Sequence, residues 1–273
     1  MPSMQMTVTG QEGGFATLAF AYLTSCLGCV LGLSAMSRAR SAGGGAQLRW
    51  LALGSFAIGA TGIWAMHFIA MLGFTVPGWQ VTYDLPITLV SLIVAIVVVG
   101  AGLTIAVRGR GGLPALLVGG AITGLGVAVM HYVGMSAVNM PESVHYNLWL
   151  VAASVLIAVT AACVALWFAM NVRGIPATIG AGLVMGVAVC GMHYTGMAAM
   201  TLHTAAAPTR VGLTANQFLM PLLLGLGLST LVMLLIAGLG PTEQEVKQEE
   251  EIRAKLARLE DQRRYGYDTL DRH

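Results

Sequence analysis

Charge is what this sequence has least of. Only 10% of its 273 residues are Asp, Glu, Lys or Arg, against roughly 25% in a typical soluble domain. The 12 acidic and 14 basic residues almost cancel, and no nucleic acid is expected as a partner. Cysteine is scarce as well, and Cys26, Cys29, Cys163 and Cys190 all lie inside apolar runs, which excludes the disulfide framework of a small secreted domain. Cys26-x-x-Cys29 has the spacing of a redox or metal motif, but small residues at helical spacing equally serve helix packing. Packing is the reading adopted, with Cys190 as an alternative ligand because it stands three residues before His193 on the same helical face. Residues 1–14 lack a basic stretch, and the apolar run that follows is too long for a signal-peptide core, so that run is expected to remain as a membrane helix. Neither a nucleophile–base pair nor an acidic dyad accompanies the motifs described below, and the chain is not expected to be an enzyme.

What the sequence has in abundance is uninterrupted apolar chain: 56% of the residues are hydrophobic. Seven runs, about 15–36, 50–71, 86–107, 114–137, 148–170, 176–199 and 217–239, reach the length of about 20 residues that a helix needs to cross a bilayer. They lack the alternation of barrel strands, so helices are the remaining way to satisfy the backbone in lipid. The expectation is an all-α integral membrane protein of seven transmembrane helices. Residues 1–14 form an extracytoplasmic segment, 15–239 the membrane domain and 240–273 a cytoplasmic tail. Orientation follows from the basic residues. Arg38, Arg40, Arg49, Arg108, Arg110, Arg173 and the seven between Lys247 and Arg272 fall on one side, and only Arg210 on the other. The N-terminus is then outside and the C-terminus inside the cytoplasmic membrane. Trp50, Trp79, Trp149 and Trp167 fall near span ends, as interfacial aromatics do.

One string recurs three times near the ends of these runs: Met66-His67-Phe68-Ile69-Ala70-Met71, Met130-His131-Tyr132-Val133-Gly134-Met135 and Met192-His193-Tyr194-Thr195-Gly196-Met197. The copies close spans two, four and six, so the unit is a two-helix pair used three times in tandem, with a seventh helix added. Repeats of one orientation are related by an axis along the membrane normal, which sets His67, His131 and His193 at one depth on the outer side. Seven residues before each histidine stand Ala60, Gly124 and Gly186, and three after stand Ala70, Gly134 and Gly196. With 3.6 residues per turn these share the histidine face, and small residues there are expected to let the three helices approach closely. The tail begins at Gly240-Pro241, and Glu245–Arg264, with Ile252, Leu256 and Leu259, reads as a solvated amphipathic helix or a short coiled coil. An oligomer is compatible with either.

Imidazole suits zinc, copper, iron and nickel, whereas thioether sulfur selects soft ions, Cu(I) above all. His67, His131 and His193 together with the methionines four residues on, Met71, Met135 and Met197, make a candidate copper layer. Without sulfur the site favours zinc or Cu(II). Asp84, Glu142 and His145 fall in outer loops and could orient the ligands; His145 and His203 read equally well as ordinary loop histidines. The bland alternative is that a neutral imidazole near an interface costs little and methionine is packing filler. Against it, the odd-numbered spans contain no histidine, and intramembrane ionisable groups are by default functional candidates.

At these residues the chain resembles the MHYT-domain integral membrane sensors of bacteria. Met192-His193-Tyr194-Thr195 is their signature intact, while Met130-His131-Tyr132-Val133 and Met66-His67-Phe68-Ile69 depart at the last one or two positions. The resemblance covers about residues 15–239. It implies a sensor whose motif methionines (Met66, Met130 and Met192), histidines and tyrosines (Tyr132 and Tyr194) bind one or two copper ions, with oxygen, carbon monoxide or nitric oxide as the diatomic stimulus. In that family the domain is often fused to cyclic di-GMP enzymes. The tail here is too short for such a domain, so signalling is expected to pass to an unidentified cytoplasmic partner. Two competing readings stay open. A copper transporter or channel would need polar groups continuing down the axis, where Ser55, Thr61 and Thr123 are the main candidates. A membrane haem protein would use His and Met as axial ligands, but close small-residue packing leaves little room for a porphyrin.

Overall fold

Each long apolar run becomes a helix, and the ends are set by residues that cannot continue it. In the computed structural model the described residues are 14–75, 81–139, 142–204 and 212–239, with Gln248, Ile252, Lys255, Leu256 and Arg258 of the tail. The expectations for residues 1–13, Trp79 and Arg210, and for most of the tail, lie outside them. Helices α1 (Gly14–Ser41), α2 (Gly44–Leu72), α3 (Leu85–Arg108), α4 (Leu113–Ser136), α5 (Leu148–Asn171) and α6 (Ile175–Ala198) are all long and apolar enough to cross a membrane. Prolines at the first turns of α3, α4 and α6 suit positions whose N–H has no partner within the helix. Gly111 and Gly174 adopt positive φ in two of the connections at the arginine-bearing end, the left-handed region that glycine enters without a β-carbon clash.

The expected seventh span is α7 (Met220–Leu239). Its 20 residues extend about 30 Å at 1.5 Å per residue, close to the thickness of the hydrocarbon core. Ala215–Leu219 winds as a π-helical turn directly ahead of it, behind a Thr214–Gln217 capping box. Among the described residues, α1 to α6 are the six helices of spanning length and composition. The chain divides into compact units on either side of Leu234–Leu235. The membrane domain is all-helical, with short strands only in its loops.

Short strands join the three loops at the histidine end: β1 (Thr82–Tyr83), β2 (Val138–Asn139), β3 (Glu142–Tyr146), β4 (Met200–Thr204) and β5 (Leu213–Thr214). The order β2-β1-β5 is antiparallel throughout, and β3 pairs with β4 from Glu142 opposite Thr204 to Tyr146 opposite Met200. Each pairing therefore ties the loop of one helix pair to that of another. Two further backbone bonds do the same at equivalent places: Asp84 N donates to Ala137 O and Asn147 N to Ala199 O, both at 2.8 Å.

Helices α1 to α6 pack in sequence order, and α6 returns to α1. At the opposite end the Arg40 guanidinium on α1 donates to Ala169 O and, at 2.9 Å, to Val172 O, at the end of α5. The three even helices meet one another along their C-terminal parts. Two of the small residues seven before a histidine, Gly124 and Gly186, do not serve this. A β-carbon at Gly124 would stand 2.4 Å from Val159 Cα on α5, and one at Gly186 2.5 Å from Cys26 Sγ on α1. Those glycines seat α4 and α6 on the ring neighbours. Lower in the bundle the centre is instead a cavity of about 60 Å³. Of the small residues expected to let α2, α4 and α6 approach closely, Gly124 and Gly186 thus face the ring neighbours, and the three helices converge near the histidines.

Helix α2 is the most enclosed, with 83% of its membrane window buried against 17–44% for the other five. Its middle, Ala57–Ala65, is π-helical and buried at every position. Gly59 and Gly62 allow the wide turn to touch its neighbours: a β-carbon at Gly59 would lie 2.8 Å from Ala95 O, and Gly62 N lies where a β-carbon of Gly28 would come within 2.3 Å. Thr61 in this segment shares a 2.9 Å hydrogen bond with Thr230 of α7. Such segments recur at functional sites, and this one ends directly before Met66-His67.

Candidate metal centre

His67, His131 and His193 each lie five residues before the last residue of their helix, Leu72, Ser136 and Ala198. At about 1.5 Å per residue that is one common depth, roughly 7.5 Å from the helix ends. Three C-terminal helix ends point the same way here, and their partial negative charge favours a cation. All three side chains are 1% exposed.

The Nδ1 atoms form a triangle: His67 to His193 is 3.0 Å, His131 to His67 is 3.2 Å and His193 to His131 is 3.4 Å. The rings stand edge-on to one another at 84–86°, with centroids 4.9–5.1 Å apart. A ring nitrogen offers either one N–H or one lone pair. With three such atoms in mutual contact, at least two must be alike, so at least one contact sets donor against donor or acceptor against acceptor. The cluster cannot satisfy itself. A single cation takes all three lone pairs, and three nitrogens held tetrahedrally at about 2.0–2.1 Å from one ion stand about 3.3–3.4 Å apart. The donor set and its spacing fit a metal ion, and the three histidines are the group among the described residues that could hold one.

With all three Nδ1 atoms given to one ion, each Nε2 would carry the proton, and all three Nε2 atoms are buried with no hydrogen-bond partner. Asp84, Glu142 and His145 stand in the loops at the histidine end. Asp84 caps α3, its Oδ1 accepting from Ile87 N at 3.0 Å, one of the first-turn donors that no carbonyl within the helix reaches. His145 is exposed on β3, and its carbonyl accepts from Thr201 Oγ1 at 3.3 Å. Glu142 sits at the far end of the same hairpin, opposite Thr204. The motif aromatics do reach the site. Phe68, Tyr132 and Tyr194 stand roughly edge-on against their own histidines at 4.7, 4.9 and 5.0 Å, and Tyr132 is anchored by a 2.7 Å hydrogen bond to Ser154 on α5. In the cap above, burial pushes the Tyr83 phenol up to about 12.

The sulfur layer is less symmetric. Met71 and Met135 are buried in the main core and Met197 is half-buried against it. Met130 and Met192 are buried in the same core, and Met192 also lines the central cavity. Met66 belongs to a separate cluster with Ala21, Ala70 and Cys190, which places Cys190 in packing beside the motif and outside the three-histidine group. Cys26 and Cys29 are buried free thiols on α1. Below the histidines, Ile63, Val127 and Val189, each four residues earlier in its helix, line the cavity with Thr123 as its one hydroxyl.

Residues 61–119, 124–182 and 186–246 each match the MHYT family, described as the bacterial signalling protein N terminal repeat. Among curated relatives, the chain is 40% identical over 188 residues to the bifunctional diguanylate cyclase/cyclic di-GMP phosphodiesterase MucR of Pseudomonas aeruginosa, covering 67% of this chain and 27% of that protein. It is 37% identical over 195 residues to the cyclic di-GMP phosphodiesterase NbdA of the same organism, covering 69% and 24%. An uncharacterized signaling protein of Caulobacter vibrioides is 32% identical over 236 residues, 86% of this chain and 28% of that one. The chain thus spans about a quarter of the length of the curated relatives it matches. No solved structure matches.

Proposed function

The chain belongs to the MHYT family of bacterial signalling proteins, and from that premise we propose that it is a multi-pass sensor of the cytoplasmic membrane whose His67, His131 and His193 hold one metal ion near the outer face. The observation that carries this reading is the Nδ1 triangle of 3.0–3.4 Å, which cannot pair internally and matches the spacing of three ligands on one ion. Copper is the metal favoured, because Met71 and Met135 lie buried four residues beyond two of the ligands and thioethers tilt imidazole sites toward Cu(I). Met66, Met130, Met192 and Met197 are the further sulfur candidates. Zinc is the alternative if sulfur takes no part. Bound copper would supply a redox-active centre with an affinity for oxygen, carbon monoxide or nitric oxide.

The protein's own part is mechanical. Each imidazole rides on a different helix pair, so whatever the three share is felt by all three pairs at once. Counting α7 as a seventh crossing and setting the arginines inside puts the chain's N-terminus outside and the tail in the cytoplasm. From there the signal is read by a cytoplasmic partner of the cyclic di-GMP type, whether fused or separate.

Two observations weigh against a metal conduit. The cavity below the histidines is apolar, and the hydroxyls that might continue a path are engaged locally. Thr61 pairs with Thr230, Thr123 donates to Val98 O, and Ser55 donates to Leu51 O. A haem needs room for a flat porphyrin beside its axial ligand, and three rings packed at 4.9–5.1 Å leave no slot for one. Elemental analysis of the purified protein, taken with its absorption spectrum, tests the reading. One copper per chain and no Soret band is the expected result; a haem spectrum, or no metal after loading, overturns it.

A further inference from the structure

Metal-bound histidines ordinarily donate their outer N–H to a carboxylate, a carbonyl or water, which fixes the ring. Here the three Nε2 atoms are buried and have no such partner. What stands beside two of them is glycine. A β-carbon on Gly134 of α4 would lie 2.6 Å from Nε2 of His67 on α2, and one on Gly196 of α6 would lie 2.4 Å from Nε2 of His131 on α4. Each glycine is the third residue after the histidine of its own helix. The contact therefore runs from repeat to repeat: a ring from one rests on the bare backbone of the next. The third residue after His67, the same register position, is Ala70.

We propose that Gly134 and Gly196 are positioning residues of the three-histidine centre, fixing the imidazoles of His67 and His131 by backbone contact in the role that hydrogen-bond acceptors play elsewhere. The physical basis is the small margin. To regain ordinary contact at 3.4 Å, an alanine at residue 134 must displace the His67 ring by about 0.8 Å, and one at residue 196 must displace the His131 ring by about 1.0 Å. Metal–ligand distances tolerate about 0.2 Å. The obstructed atom in each case is the far end of a side chain, not backbone, so the ring gives way before the helices do. Glycines that seat helices behave differently: at Gly124 the atoms met are the backbone of Val159 and Ala158. The two classes of glycine are interchangeable by composition and separable by what they touch.

The proposal rests on the metal reading for its affinity arm only. Full-length protein in lipid nanodiscs, labelled with ¹⁵N at histidine, gives a readout that needs no metal. Gly134→Ala is expected to move the imidazole resonances of His67, and Gly196→Ala those of His131, assigned through His67→Leu and His131→Leu. In the affinity arm, Cu(I) is titrated against a competing chelator. Each glycine variant is expected to bind about 10- to 100-fold more weakly, the usual cost of disturbing a ligand's orientation. In a His67→Leu background, Gly134→Ala is expected to change the remaining affinity by no more than about twofold, because its target is gone. Ala70→Gly, a change at the same register position of α2, is expected to leave both readouts near the parent. Unmoved His67 and His131 resonances in folded glycine variants overturn the proposal, as does an undiminished effect of Gly134→Ala in the His67→Leu background. Should one glycine variant not fold, the other carries the test. Parent protein that binds no Cu(I) refutes the metal reading, while the resonances still decide the seating.

Discussion

Replacing His67 with leucine in metal-free protein is expected to leave the fold as stable as the parent or more so. His67 is 1% exposed, and deleting a buried core side chain ordinarily costs about 2–5 kcal/mol. Two features reverse the expectation. His67 Nε2 is buried without a partner, and such a group costs about 1–3 kcal/mol. Its Nδ1 lies 3.0 and 3.2 Å from two other ring nitrogens, in a triangle where at least one contact is repulsive. Leucine of similar bulk removes both penalties, at a repacking cost of roughly 1.5 kcal/mol or less. The net change without metal lies between about a 0.5 kcal/mol loss and a 3 kcal/mol gain. With metal the order inverts. A ligand present at about 100 times its dissociation constant stabilises the parent by about 2.7 kcal/mol, and the variant, lacking one of three donors, gains far less. The assay is SDS-induced unfolding in mixed micelles followed by circular dichroism, with chelator and with Cu(I), for both proteins. A loss of about 3 kcal/mol or more in chelator would show that His67 is an ordinary structural residue and refute the reasoning.

Three further outcomes follow from the same geometry. Gly124→Ala, whose β-carbon meets the backbone of α5 at 2.4 Å, should destabilise by about 1–3 kcal/mol in the same unfolding assay, whereas Gly180→Ala and Gly191→Ala, with nothing within 4 Å, should be neutral or slightly stabilising. Met71, Met135 and Met197 changed together to leucine should keep the fold and lose preference for Cu(I) over zinc, with the triple change at Met66, Met130 and Met192 as the comparison; if both triple variants bind like the parent, the methionines are packing. In a cysteine-free background, cysteine at residue 145 should react with an impermeant reagent added outside intact cells and cysteine at residue 173 should not, and the opposite pattern would invert the proposed orientation.

The spanning helices and the common depth of the histidines were legible because both depend on local pattern. Apolar length sets the helices, and one motif repeated near the end of every second span sets the depth, five residues before each helix end. Convergence of the rings could be expected from the repeat, but which small residues achieve it could not. Residues at −7 and +3 share a face on an ideal helix, yet the helices splay away from the histidine end, so Gly124 meets α5 and Gly134 meets His67. The π-helical stretch of α2 left no signature beyond Gly59 and Gly62, since its wide turn is held by tertiary contact on every side. Strands of two residues such as Thr82–Tyr83 carry no readable period; they exist because partners 57 and 132 residues away in sequence, Asn139 and Thr214, meet Thr82 across the cap. Asp84 and Asn147 had a readable capping role, being polar residues just ahead of apolar runs, and the competing expectation of an outer ligand shell obscured it for Asp84.

The central claim is that one ion is held by three imidazoles, one from each helix pair. X-ray absorption at the edge of the bound metal in purified, metal-loaded protein measures this most directly. The account predicts one metal per chain with three imidazole nitrogens at about 2.0–2.1 Å, falling to two in His67→Leu, His131→Leu and His193→Leu alike. A metal whose nitrogen count is unchanged by all three substitutions would contradict it.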